Sequence, residues 1–210
     1  MGVGKYLGLL ALMLLSLLAL HSSPVEACSC MPSHPQTHFC NGDYVVIIRV
    51  MRKSLRLVQD NVAYKVEVKK SYKMNEAGHK LLKHGRIVTP NSDAMCGINL
   101  DIGKLYVIAG RGPYLNSCSY VKEYLKMSVV ERRGFAGAYR KGCKCSVQPC
   151  FGQSCLSEHQ SATSCKWSPF AKCETDYSAC IPSHYRTPEG IISKCHWRRT
   201  PAYKKCMSDP

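Results

Sequence analysis

Apolar positions along this chain come in short runs of β character. Tyr44–Met51 (YVVIIRVM) is β-branched and almost wholly apolar, which suits a strand buried on both faces. Val62, Tyr64, Val66 and Val68 alternate with Ala63, Lys65, Glu67 and Lys69, the period of a strand with one wet face. Arg86–Thr89, ended by Pro90, and Lys104–Ala109, ended by Gly110, read as two more strands. Met127–Lys141 differs. Ser128-Val-Val-Glu131 has the form of a capping box, in which serine and glutamate satisfy each other's backbone N–H groups, and a helix should follow despite Gly134 and Gly137. Short strands, one helix and no βαβ rhythm predict a mainly β fold with short helices, built as a small Greek-key barrel.

One apolar run is of another kind. Leu7–Leu20 is uncharged, follows Lys5, and is too short for a bilayer span, which needs about 20 residues. Val25 and Ala27 supply the small residues of a cleavage site, so residues 1–27 read as a signal peptide and Cys28 as the first residue of a secreted chain. No later run is apolar enough to span a membrane.

All 14 cysteines fall after that cut, and in an oxidising compartment a dense, even set reads as disulfides. Fourteen cysteines allow roughly 10⁵ pairings, so counting leaves the connectivity open. Zinc is the competing reading, but the close spacings are Cys-x-Cys (28/30 and 143/145), with no Cys-x-x-Cys. Nine of the cysteines crowd into Cys143–Cys206, where long apolar runs are lacking, so a disulfide-stapled module should begin near Gly142.

Residues 28–142 carry 19 Lys/Arg against 8 Asp/Glu, a net of +11. Outside the cell such a field favours sulfated glycans or an acidic protein over nucleic acid, or simply keeps the protein soluble. Arg52, Lys53, Arg56, Lys69, Lys70 and Lys73 are candidates for matrix contact. Catalysis finds no support: no nucleophile–base pair, close carboxylate pair or phosphate loop stands out. His34 and His38 sit at i, i+4 beside Pro35 and could share a metal, although satisfied histidines are far commoner.

The opening CSCMPSHPQTHFCN, together with MCG at 95–97, CSY at 118–120, RRGF at 132–135, GCKC at 142–145 and CKW at 165–167, resembles the tissue inhibitors of metalloproteinases from Cys28 to about Trp197. The resemblance implies a netrin-like inhibitory domain over 28–142, an OB-like five-stranded barrel, and a disulfide-rich C-terminal domain over 143–210. It also implies the bridges Cys28–Cys96, Cys30–Cys118, Cys40–Cys143, Cys145–Cys195, Cys150–Cys155 and Cys165–Cys180. Cys173 and Cys206 remain and are paired by elimination.

By the same resemblance, the backbone amine and carbonyl of Cys28 chelate the catalytic zinc of a target protease; the inhibitor has no cofactor of its own. Ser29 would sit at the mouth of the main specificity pocket. Cys30, Met31, Pro32, Ala94, Met95, Cys96, Gly97 and Ser117 would complete the contact ridge. For Met31 and Met95 the alternative is plain core packing. The loop Ser54–Asn61 is short and carries no aromatic residue to add contacts. Expected partners are matrix metalloproteinases, with adamalysin-type sheddases as further targets. The rival function is a non-inhibitory netrin-like module that binds sulfated glycans in the extracellular matrix.

Overall fold

The computed structural model describes residues 28–54, 60–155, 161–188 and 190–209. Residues 1–27, read above as a signal peptide, and residues 55–59 of the first strand–strand loop, with Arg56 among them, lie outside the described residues. Five antiparallel strands form the first sheet: β1 (Tyr44–Lys53), β2 (Asn61–Met74), β3 (Arg86–Pro90), β4 (Leu105–Gly110) and β5 (Tyr120–Glu123). Their spatial order is β3-β2-β1-β4-β5, a meander of three strands with the fourth returned beside the first, which is a Greek key. Register shifts in the β1–β2 pair at Val45/Val46, Ile47/Ile48 and Val50/Arg52 add local bends and twist. The sheet therefore curls into a half-barrel, mainly β with short helices as the residue pattern predicts and OB-like as the resemblance implies.

β1 is unbroken apolar from Tyr44 to Ile48 because it feeds two cores. Tyr44, Val46, Ile48 and Val50 pack with Val62, Tyr64, Val66, Ile87, Leu100, Ile108 and Leu115 inside the curl. Val45 and Ile47 face the other way, onto Phe39, Val107, Phe135 and Tyr139. Each fully buried aliphatic or aromatic side chain contributes about 1.5–3 kcal/mol, so the central strand anchors both cores. Two buried tyrosine hydroxyls of the first core are hydrogen-bonded: Tyr44 donates to Gly112 O at 2.9 Å and Tyr64 to Asn99 Oδ1 at 3.0 Å.

The second core is covered by α1 (Pro35–Asn41) and by the run 129–141, while α2 (Glu76–Leu82), at the end of β2, sets Leu82 into the first core; in the run, α3 (Val129–Arg133) passes through a π turn (Gly134–Ala138) into α4 (Tyr139–Lys141). The capping box at Ser128 is half formed. Ser128 Oγ accepts from the Glu131 N–H at 3.0 Å, but the Glu131 carboxylate turns inward to Tyr120 and Lys122 instead of back to Ser128.

Beyond Gly142 the second lobe holds a parallel pair, β6 (Ser146–Pro149) with β7 (Ser164–Trp167), and a hairpin, β8 (Cys180–Thr187) with β9 (Gly190–Trp197). α5 (Lys172–Tyr177) and α6 (Pro201–Ser208) flank them. Its small core is Cys145, Cys165, Cys180 and Cys195 with Val147 and Trp197, so bridges substitute for bulk apolar packing. Among the described residues no helix is long and apolar enough to cross a membrane.

The two lobes meet on α1. Gln36, 1 % exposed, donates to Gly142 O at 2.9 Å and Cys180 O at 2.8 Å, and accepts from Cys180 N at 2.9 Å. A Cβ on Gly142 would lie 2.2 Å from Cys180 O, so only glycine allows this approach. His34, the N-cap of α1, accepts from Gln36 N through Nδ1 at 3.1 Å and donates from Nε2 to Glu174 O at 3.2 Å. Both ring nitrogens are occupied, so His34 cannot share a metal with His38; the pair is structural.

That bonding fixes a neutral imidazole packed among Tyr139, Trp167 and Trp197. Burial, with a smaller push from His38 against the opposing bond to Glu174, lowers the His34 pKa from 6.5 to about 4. The unfolded chain takes up this proton near pH 6.5, whereas the folded chain refuses it until about pH 4. Stability contributed by neutral His34 is therefore complete above 6.5 and lost as pH falls towards 4, by about 3 kcal/mol in all. Urea midpoints measured from pH 7 to 4.5 with bridges intact should fall accordingly, and His34→Gln should flatten that slope.

Candidate functional site

Three separate segments converge at one end of the sheet: 28–32, the 3₁₀ turn Asp93–Met95 with Cys96 and Gly97, and 114–118. Two bridges hold them, Cys28–Cys96 with Cα atoms 5.4 Å apart and Cys30–Cys118 at 5.2 Å. Bridges two residues apart pin both ends of Cys28-Ser29-Cys30 without regular secondary structure. A short chain end is normally mobile, and ordering one backbone residue costs about 1–2 kcal/mol.

Ser117 couples the two bridges. Its Oγ lies 3.1 Å from Cys28 Sγ and 3.6 Å from Cys30 Sγ. Disulfide sulfur has no proton to give, so the hydroxyl donates. The Ser117 N–H donates to Cys96 O at 2.9 Å, closing the triangle. The resemblance gives Ser117 only a place on the contact ridge and leaves out Asn116, whose Oδ1 accepts from Cys118 N at 3.1 Å and Ser119 Oγ at 3.2 Å. The Asn-Ser-Cys-Ser run is the available signal, since asparagine side chains favour such turns. Thr89 is the other omission: 2 % exposed, its Oγ1 accepts from Ile98 N at 2.9 Å and ties the Cys96 turn to β3.

The turn is tight. Met95 N donates to Ser92 O at 3.1 Å, Cys96 N to Asp93 O at 2.9 Å, and Gly97 N to Ser92 O at 2.9 Å. Cys96, the C-cap of this turn, takes a left-handed conformation at φ 61°, uncommon for a residue with a side chain and here closed by those same hydrogen bonds. A Cβ on Gly97 would lie 2.2 Å from Pro90 O and 2.8 Å from Ser92 O, both backbone atoms that cannot swing aside. Gly97→Ala should therefore destabilise by about 1–3 kcal/mol and displace Cys96. Denaturant midpoints would show the first effect and weakened protease inhibition the second.

Outward, the ridge presents Ser29, Met31, Pro32, Ala94 and Met95, all exposed. Met31 is 75 % and Met95 47 % exposed, so neither fills a core. The sulfurs of Cys28, Cys96 and Cys118 lie within 4.8 Å of one another, as do those of Cys145, Cys180 and Cys195. All six are oxidised in bridges and offer no thiolate to a metal. The remaining bridges are Cys40–Cys143, Cys150–Cys155 and Cys173–Cys206, so the structure joins the same seven pairs as the resemblance and elimination together.

A model of the tissue inhibitor of metalloproteinase family matches residues 26–197. The chain belongs to that family. A tissue inhibitor of metalloproteinase from Drosophila melanogaster is 54 % identical over the whole of both chains. Metalloproteinase inhibitor 3 from Gallus gallus is 30 % identical over 92 % of each, and metalloproteinase inhibitor 2 from Homo sapiens is 33 % identical over 65 % of this chain and 66 % of its own.

Among the residues considered for matrix contact, Lys73 is inward-tied. Its Nζ donates to Phe39 O at 3.1 Å and Cys40 O at 2.7 Å, capping the end of α1. Burial, the first influence on it, lowers its pKa. Lys69 pairs with Glu67 at 2.7 Å, while Arg52, Lys53 and Lys70 are exposed.

Proposed function

We propose that this metalloproteinase inhibitor is secreted and acts by laying the ridge 28–32 across a protease active site. After cleavage behind Ala27, the free amine and the carbonyl oxygen of Cys28 would take the open position of the catalytic zinc. A catalytic zinc keeps one site for water or substrate. A backbone N and O from one residue close a five-membered chelate there and displace that water. The observation that carries this reading is the paired pinning of Cys28-Ser29-Cys30, with the Cys28 carbonyl making no hydrogen bond among the described residues. The terminus is held still and its backbone oxygen is left available. Preordering removes an entropic cost that binding would otherwise meet.

Ser29 would face the specificity pocket with a small side chain, which favours breadth across matrix metalloproteinases and adamalysin-type sheddases. Met31, Pro32, Ala94, Met95 and Gly97 would flank the cleft. An inhibitory domain over 28–142 and a second domain from 143 fit this division of labour.

The test is a pH series of inhibition against a matrix metalloproteinase catalytic domain. An α-amine binds zinc only when unprotonated, and its usual pKa is about 7.7–8.0. Affinity should weaken from pH 7.5 to 5.5 by up to about 2.5 kcal/mol, roughly 70-fold, after correction for the protease's own titration. A flat affinity would reject amine ligation.

A further inference from the structure

Two adjoining cavities, of about 400 and 340 Å³, share Arg133, Ala138 and Arg198 and form one groove between the helical run 129–141 and the second lobe. Its floor is apolar, with Val130, Ala179 and Pro201 in the larger cavity and Ile181 in the smaller. Its rim carries four cations, Arg133, Lys141, Arg198 and Arg199, and no carboxylate lines either cavity. Among the described residues none of these four side chains makes a hydrogen bond or ion pair, although ion pairs occupy several other lysines of the surface. The walls are fixed: Arg198 N donates to Ala179 O at 2.8 Å, Ser178 Oγ to Arg198 O at 2.8 Å, and Thr200 Oγ1 to Tyr177 O at 2.9 Å. The groove shares no residue with the inhibitory ridge.

We propose that this inter-lobe groove is a docking site for an acidic peptide segment of a protein partner, with one apolar side chain seated in the larger cavity. Four unpaired cations with no counter-charge call for several anionic groups, more than the single carboxylate of a fatty acid offers. An apolar floor of this volume calls for a hydrocarbon side chain, which a sulfated glycan lacks. Apolar lining with a few converging charges is the usual composition of a binding cleft. Complementary charge at the rim would set specificity and association rate, and the buried side chain would set residence.

The experiment is calorimetric titration of the intact, fully oxidised secreted protein with the acetylated, amidated peptide DELED, with DESED (central leucine replaced by serine) and with KKLKK. DELED should bind, DESED about tenfold or more weaker, and KKLKK not at all. Arg133→Ser with Arg198→Ser should weaken DELED about tenfold or more while protease inhibition stays unchanged. All four cations are exposed, and Lys141→Ser with Arg199→Ser serves as the second pair if the first variant misfolds. Failure of DELED to bind, or binding indifferent to both variants or to the central leucine, overturns the proposal. So does oleate or a heparin tetrasaccharide binding in an Arg133- and Arg198-dependent way while DELED does not.

Discussion

One extra alanine ahead of Cys28 is expected to weaken inhibition of a matrix metalloproteinase catalytic domain on the order of 10³-fold or more. The added residue turns the terminal amine into an amide. An amide nitrogen has its lone pair delocalised into the carbonyl and is no longer a ligand at neutral pH, so the five-membered chelate is lost. The extension also places a peptide group where the metal must sit. Losing coordination worth several kcal/mol corresponds to the stated factor. Nothing in the fold should change, because Cys28–Cys96, Cys30–Cys118 and the Ser117 contacts all lie downstream of the added residue. Near-identical denaturant midpoints alongside a lost one-to-one inhibition titration would assign the effect to the zinc. Equal inhibition by both forms would leave an inhibitor whose first residue is not a ligand. Failure of both on oxidised, folded samples would point away from this protease class.

The alternation in β2 was readable because a strand with one wet face must repeat every two residues, and the apolar run Tyr44–Ile48 of β1 carries the signature of two cores. β5 was not readable: Tyr120–Glu123 is four residues with a lysine and a glutamate, and it pairs only with β4 as an edge. The ridge was legible through its cysteines, whose spacing the resemblance interprets. What joins the ridge together was not. Ser117 and Thr89 act through hydrogen bonds across 89 and 9 residues of chain, and no local pattern records such partners; only Asn116, bonded two and three residues on, leaves a local turn signal. His34 shows the same limit from the other side. Its i, i+4 partner His38 invites a metal, and only the positions of Gln36 N and Glu174 O reveal a neutral, saturated ring. The half-formed capping box has a similar origin, since Glu131 had two competing uses and the tertiary one won.

That tertiary use makes Lys122→Met the largest expected loss of stability, about 3–5 kcal/mol. Glu131 is fully buried at its side chain, and its two oxygens receive Tyr120 Oη at 2.7 Å and Lys122 Nζ at 2.8 Å. Lys122 also reaches Asp176 at 3.4 Å on α5, while Ser128 Oγ donates to the Asp176 carbonyl, so this cluster bonds the sheet edge and α3 to the second lobe. Burial alone disfavours the Lys122 charge, but its bonds to Glu131 and the nearby carboxylates outweigh that and hold its pKa raised. Burial, reinforced by the same carboxylate charges, raises the Tyr120 and Tyr139 pKa values, so both phenols stay neutral and cannot replace a cation. Removing Lys122 leaves a carboxylate out of water with one neutral donor, the situation that costs most among buried pairs. Lys122→Met combined with Glu131→Gln removes the orphaned charge and should recover a substantial part of the loss. Guanidinium midpoints of the two variants, with bridges intact, measure both effects, and a single-variant shift below about 0.5 kcal/mol would mean that water reaches Glu131. Because the ridge is tied by its own bridges, the single variant should still titrate a protease one to one at temperatures below its unfolding transition. Loss of inhibition while the chain remains folded would instead show that the ridge depends on how the second lobe is seated.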